Sequence, residues 1–173
     1  GLAPTTSTTV ALGMGDAIAV ALLDKRGFTK DDFALYHPGG SLGKKLLLKI
    51  DPLVHKNTDI PLVDEHATIA EAIVEISKKR LGVTLITNPS NKLLGIFTDG
   101  DIRRVLDEKL DLHKTKIAEV MTTQVKTMQM GVLAAKALHI MSQDKITSLA
   151  ICDAQQNIQG VLHIHDLINA GVN

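Results

Sequence analysis

The chain has 173 residues, enough for one compact domain or two small modules. Nineteen Lys and Arg balance nineteen Asp and Glu, so no bulk positive field exists to gather nucleic acid or an anionic membrane. Apolar residues make up 45% of the chain and aromatic ones only 2%, so the core has to be aliphatic, with few platforms for stacking bases.

The chain opens on "GLAPTTSTT" without an initiator Met, which reads as a piece of a longer protein with Gly1 as a foreign remnant. Thr9–Leu23, "TVALGMGDAIAVALL", is the longest apolar stretch. It is too short to span a bilayer, carries Asp16 and lacks the basic leader of a signal peptide. It is expected to form a buried helix with a Ser/Thr start and Gly27 as its stop. Thr29–Tyr36 reads as a short helix, His37–Gly40 as a turn, and the residues after it as another helix. "GGSLGKK" (Gly39–Lys45) fails the phosphate-loop pattern, with Pro38 and Lys45 where Gly and Ser or Thr belong. Cys152 is the single cysteine, so no intrachain disulfide forms and a reducing, cytoplasmic setting fits.

From Lys49 onward the sequence repeats. Ile69, Ala72, Ile73 and Ile76 match Ala134, Ala137, Leu138 and Met141, both at the i, i+3, i+4, i+7 spacing of a half-buried helix. Thr68 and Glu71 form a capping-box pattern ahead of the first of these helices. Thr84–Ile86 matches Leu149–Ile151 as a short apolar strand, "NPSNK" matches "DAQQN" as a turn, and Leu94–Phe97 matches Gln159–Leu162 as a second strand. Lys49–Val54 matches Lys116–Met121 as a strand leading into each copy. A copy of this size buries its own sheet poorly, so the two are expected to pack face to face as a pseudo-dimer.

Both copies close on one device, "GIFTDGDIRRVL" (Gly95–Leu106) and "GVLHIHDLINAG" (Gly160–Gly171). A strand ends on Thr98 or His163, and an acidic residue, Asp101 or Asp166, lies in the first turn of the next helix. A carboxylate held there can accept both hydroxyls of a ribose, and a helix start with free N–H groups suits a phosphate. The same Asp also stabilises a helix start through the helix dipole with no ligand at all. His163 in place of Thr98 makes the two sites unequal. His163 and His165 would share a face if extended, but no further ligands accompany them, and no metal site is expected.

The repeat, with "GIFTDGDI" and "GVLHIHDL", resembles a tandem pair of cystathionine β-synthase (CBS) domains. In that family Ser or Thr and Asp at these positions contact the phosphate and ribose of adenine nucleotides and their relatives. The resemblance therefore implies effector-binding roles for Thr98, Asp101, His163 and Asp166. The front segment, "LAPTTSTTVALGMGDAIAVAL" and "HPGGSLGKKLL", is similar to the end of the sugar isomerase (SIS) domain of arabinose 5-phosphate isomerases. Those enzymes carry a CBS pair after the isomerase domain and interconvert ribulose 5-phosphate and arabinose 5-phosphate on the way to Kdo (3-deoxy-manno-octulosonate), a sugar of lipopolysaccharide.

The resemblance implies an α/β (α+β) chain: an SIS-domain tail over 1–48, then CBS domains over 49–112 and 113–173, each β-α-β-β-α. It implies a catalytic role for His37 in ring opening or proton transfer, which composition and spacing would leave as a turn residue. Thr6, Ser7 and Thr8 become candidates for contact with a sugar phosphate. The rest of the catalytic domain would precede Leu2, so this chain is expected to be inactive alone. No cofactor is required; a nucleotide or CMP-Kdo is the expected effector, and a homo-oligomer, dimer or tetramer, the expected assembly. The alternative is a CBS pair that only joins subunits, with empty clefts.

Overall fold

A computed structural model describes residues 3–29, 32, 33, 36 and 40–172 of the chain. It divides into two units, Gly1–Leu47 and Leu48–Asn173.

The first unit contains helices α1 (Thr5–Lys25) and α2 (Ser41–Leu47). Gly27, at φ 63°, ends α1 as its sequence suggests, with Gly27 N–H donating to Asp24 O. The start differs from expectation. Pro4 is the N-cap, and no side chain caps the helix. The Ser7 and Thr8 hydroxyls point backward and donate to Pro4 O at 3.3 and 2.7 Å. The burial expectation is also corrected: no residue of α1 is buried, and Val10, Leu12 and Val20 are each more than half exposed. Apolar side chains run round the whole helix, so no single stripe faces the described remainder of the unit. At 21 residues, with mean hydropathy 1.5 over an 18-residue window, α1 is by length and composition long and apolar enough to cross a membrane. The shorter run counted in the sequence understated it.

The second unit holds two copies of one motif. The first is β1 (Leu62–Asp64), α3 (Ile69–Lys79), β2 (Val83–Thr87), β3 (Leu93–Thr98) and α4 (Asp99–Asp107). The second is β4 (Thr127–Met128), α5 (Ala134–Asp144), β5 (Ser148–Cys152), β6 (Ile158–His163) and α6 (Ile164–Asn169). Each sheet has three strands: β1 runs parallel to β2 and β2 antiparallel to β3, with the same order in β4-β5-β6. Of the predicted helical stripes, Ile69, Ala72 and Ile76 in α3 and Ala134, Ala137 and Met141 in α5 are buried, while Ile73 and Leu138 are half-buried against the same cores. The Thr68–Glu71 capping box forms in full, Thr68 N donating to Glu71 Oε2 at 2.6 Å and Glu71 N to Thr68 Oγ1 at 3.3 Å.

The lead-in segments behave differently from the expected strands. Each crosses to the other copy and makes isolated bridges there. His55 pairs with Val161 of β6, and Thr122 pairs with Ile96 of β3. Ile50 and Val54 accordingly bury themselves among Met128, Met141, Leu149 and Leu162 of the second copy. Ile117 packs with Ile69, Ile86 and Phe97 of the first. A third cluster joins the sheets, Val83 and Leu85 against Ala150, Cys152 and Val161. Gly95 and Gly160 lie beneath the two crossings. A Cβ at Gly95 would fall 2.9 Å from Thr122 O, and one at Gly160 2.5 Å from His55 O. Only glycine lets the backbones approach so closely.

Candidate functional site

The two copies meet at a cleft of about 510 Å³ lined by matching positions from each. Helices α3 and α5 both end in a left-handed residue, Arg80 at φ 59° and Lys145 at φ 55°, which turns the chain sharply into the next strand. Those two cations, Thr147 and Ser148 at the start of β5, and Thr98 and His163 at the ends of β3 and β6 all face the cleft. Ser148 Oγ donates to Leu81 O at 3.3 Å and ties the copies together there. Two cations, several hydroxyls and imidazole N–H groups suit an anionic ligand; Asp99 is the carboxylate among the lining residues.

The strand-to-helix corners differ in their caps. In the first copy Thr98 caps α4 with a complete capping box. Asp101 N donates to Thr98 Oγ1 at 3.4 Å, and Asp101 Oδ2 accepts from Thr98 N at 2.8 Å and Thr98 Oγ1 at 2.6 Å. Arg104, one turn on, donates to the other oxygen, Oδ1. Asp101 is thereby saturated and only 4% exposed.

In the second copy the cap is His163, whose Nδ1 accepts from His165 N at 3.2 Å. An imidazole that accepts at Nδ1 has no hydroxyl to offer Asp166. Asp166 turns instead to the lead-in segment of the first copy, where His55 Nε2 donates to Oδ2 at 2.9 Å. Burial, followed by the neighbouring His165, holds the His163 imidazole below its usual range, while Asp166 pulls the other way. The His163 and His165 rings meet edge to face, 5.0 Å apart.

The structure thus brings Thr98 and His163 into one cleft but not the two carboxylates. Asp101 lines a small hollow of about 190 Å³ with Arg104, Glu108 and Glu119. Asp166 lines a larger one of about 640 Å³ with Pro52–Asn57, Asp59 and Asn169. Each carboxylate faces the lead-in segment of the opposite copy, which the crossing places there. Thr6, Ser7 and Thr8 lie in the first turn of α1 and are exposed. His37 lies outside the described residues. Among the described residues no three His, Cys, Asp or Glu side chains converge as metal ligands. Sequence reasoning missed His55, whose match in the repeat is an unremarkable Thr122, and the Arg80–Lys145 pair, which the repeat spacing does align.

Residues 54–108 and 117–173 match the family described as CBS domain. The chain is 54% identical over 99% of its length to the arabinose 5-phosphate isomerase KdsD of Salmonella typhimurium, and 48% identical to that of Pseudomonas aeruginosa. It spans about half the length of these curated relatives, 52% in each case. Among solved structures it is similar to CBSX2 in complex with AMP, with TM-score 0.63 at 15% identity over 70% of this chain and 94% of that one. A CBS domain protein from Pyrobaculum aerophilum, complexed with AMP, gives TM-score 0.61 at 22% identity over 69% and 89%.

Proposed function

The chain belongs to the CBS-domain family, and from that premise we propose that it is the ligand-sensing part of a sugar-phosphate isomerase. The intact protein interconverts D-ribulose 5-phosphate and D-arabinose 5-phosphate, in the cytoplasm, for Kdo and lipopolysaccharide synthesis. The relatives named for that activity, matched along nearly the whole chain, support this reading. Helix α1, apolar on all sides, is then a core helix of the isomerase domain. Thr6, Ser7 and Thr8 belong to its phosphate end, and His37 takes part in ring opening or proton transfer. This chain alone turns over no substrate. Turnover of ribulose 5-phosphate by the 173-residue chain at the rate of an intact enzyme would overturn that.

The CBS pair binds a nucleotide or nucleotide-sugar, with CMP-Kdo as the candidate that reports on pathway output. The observation carrying this is the pair of acidic strand-to-helix corners, each opening on a hollow, together with a cationic, hydroxyl-lined cleft between the copies. The ligand's ribose takes a corner carboxylate and its acidic group a cation near that corner. Calorimetry with AMP, ATP, CMP and CMP-Kdo is the test, and binding of at least one is expected. No heat from any of them removes the sensor role. Deleting residues after Lys49 from the intact, homo-oligomeric enzyme separates sensing from assembly. Lost effector response with the oligomer intact fits sensing; a lost oligomer with unchanged kinetics per site fits a joining module.

A further inference from the structure

We propose that His55 and Asp166 form the exchangeable lock of a single effector site in the CBS pair, so that ligand binding at Asp166 is reported directly to the segment joining the two units. This deepens the sensor reading above and rests on it.

The two acidic corners are not equally available. Asp101 accepts from the Thr98 backbone, the Thr98 hydroxyl and Arg104, and a ligand would have to break all three. Among the described residues Asp166 accepts a side-chain bond from His55 alone, and both side chains remain about a third exposed, 32% and 30%. A pair so exposed is held only a few-fold in its equilibrium constant. A vicinal diol brings two O–H donors to one carboxylate, against the single N–H of the imidazole, and displaces it. The hollow at Asp166 also presents Lys56 to an acid group and Asn169 to a ring on the same molecule, with Asp59 as the second carboxylate of its lining. The ligand class is therefore a ribose-type diol carrying a negative charge, bound once per chain.

His55 ends the segment that leaves the first unit at Leu47 and enters the second. That segment is held on the second copy by Ala134 N to Leu48 O at 2.8 Å, Ile50 N to Val132 O at 3.0 Å and Gly131 N to Asp51 Oδ2 at 2.9 Å. His55 exchanges two backbone bonds with Val161, at 2.8 and 3.1 Å. The imidazole is the side-chain bolt at the end of this row. A diol that takes Asp166 withdraws the bolt, and the row loosens from His55 backward.

The test is calorimetry of the 173-residue chain with AMP and CMP, each against its 2′-deoxy counterpart, together with amide exchange at residues 48–56. We expect one site per chain and at least tenfold weaker binding of the deoxy forms. Binding should tighten roughly threefold in His55→Ala, where no imidazole competes. His55→Gln, which keeps a donor nitrogen, should bind like the parent chain. Asp166→Asn should lose at least tenfold and Asp101→Asn should lose little. Exchange at 48–56 should quicken with ligand, and also in unliganded His55→Ala. If the parent chain binds but His55→Ala binds equally or more weakly, the lock is wrong and the sensor reading survives. If Asp101→Asn loses binding and Asp166→Asn does not, the lock is assigned to the wrong carboxylate. If neither nucleotide binds the parent chain or His55→Ala, the lock falls, and the sensor reading falls with it only when ATP and CMP-Kdo also give no heat.

Discussion

The two halves of the CBS pair share a frame and part company at one residue. Thr98 is donor and acceptor at once, so it accepts the Asp101 amide and gives its proton to the Asp101 carboxylate. His163 accepts the amide of His165 at Nδ1 and makes no hydrogen bond to Asp166. Exchanging a hydroxyl for an imidazole at a helix cap thus converts an acidic group from a structural member into a free one, which a residue 111 positions away can take. A repeated motif therefore does not imply a repeated site.

The crossings beneath that motif set the largest expected difference between the copies. A Cβ at Gly160 would lie 2.3 Å from Val54 Cγ1 and 2.5 Å from the His55 carbonyl; one at Gly95 would lie 2.7 Å from Met121 Sδ and 2.9 Å from the Thr122 carbonyl. A methionine side chain yields more readily than a backbone carbonyl and a branched side chain. We expect Gly160→Ala to cost about 3 kcal/mol and Gly95→Ala about 2 kcal/mol. Urea unfolding of the full chain, following the second unit, measures both. Equal or reversed costs would show that the two crossings are equally tight and break the comparison at its base.

Next in size is the pair of carboxylates. Asp101→Ala removes a buried acceptor of several hydrogen bonds and half of a capping box, which should cost about 1–2 kcal/mol. Asp166→Ala removes one partly exposed ion pair and should cost less than about 1 kcal/mol. The same unfolding measurement ranks them. An Asp166 variant as damaging as the Asp101 variant would mean that the His55 bond is structural, and the asymmetry between the corners would disappear.

Much of this frame was legible because its signals are local. The Ile69–Ala72–Ile76 stripe, the Thr68–Glu71 box and the paired strands around "NPSNK" and "DAQQN" each depend on neighbours within a turn or two. The Asp101–Arg104 pair also had a local signal, since i and i+3 share a helix face. The crossing did not, because nothing in Lys49–His55 says that its partners are Leu133 and Val161 of the second copy rather than its own sheet. Gly95 and Gly160, one repeat apart, marked the two crossing points without saying what crosses. His55 became a site residue only through that long-range pairing. Helix α1 was misjudged for a related reason: apolar periodicity shows that a surface is apolar, not what stands against it.

The finest expected difference is in pH response. The first copy has Thr98 at its cap, which does not titrate, and the second has His163. Burial holds the His163 imidazole below the ordinary histidine value of 6.5, with His165 and His55 lowering it further and Asp166 raising it. The folded chain therefore binds this proton less readily than the unfolded chain does. Stability from this group is complete above pH 6.5 and is lost as the pH falls from there through the lowered folded value. The geometry gives the same sign, because a proton on Nδ1 abolishes the acceptor for His165 N and with it the cap of α6. His163→Thr restores the residue of the first copy, so its urea midpoint should fall less than that of the parent chain between pH 7.5 and 5. Titrating groups that do not interact with His163 are common to both chains and cancel in that difference. Two parallel pH profiles would mean that the imidazole protonates as easily folded as unfolded, and the cap would then contribute nothing to the inequality of the copies.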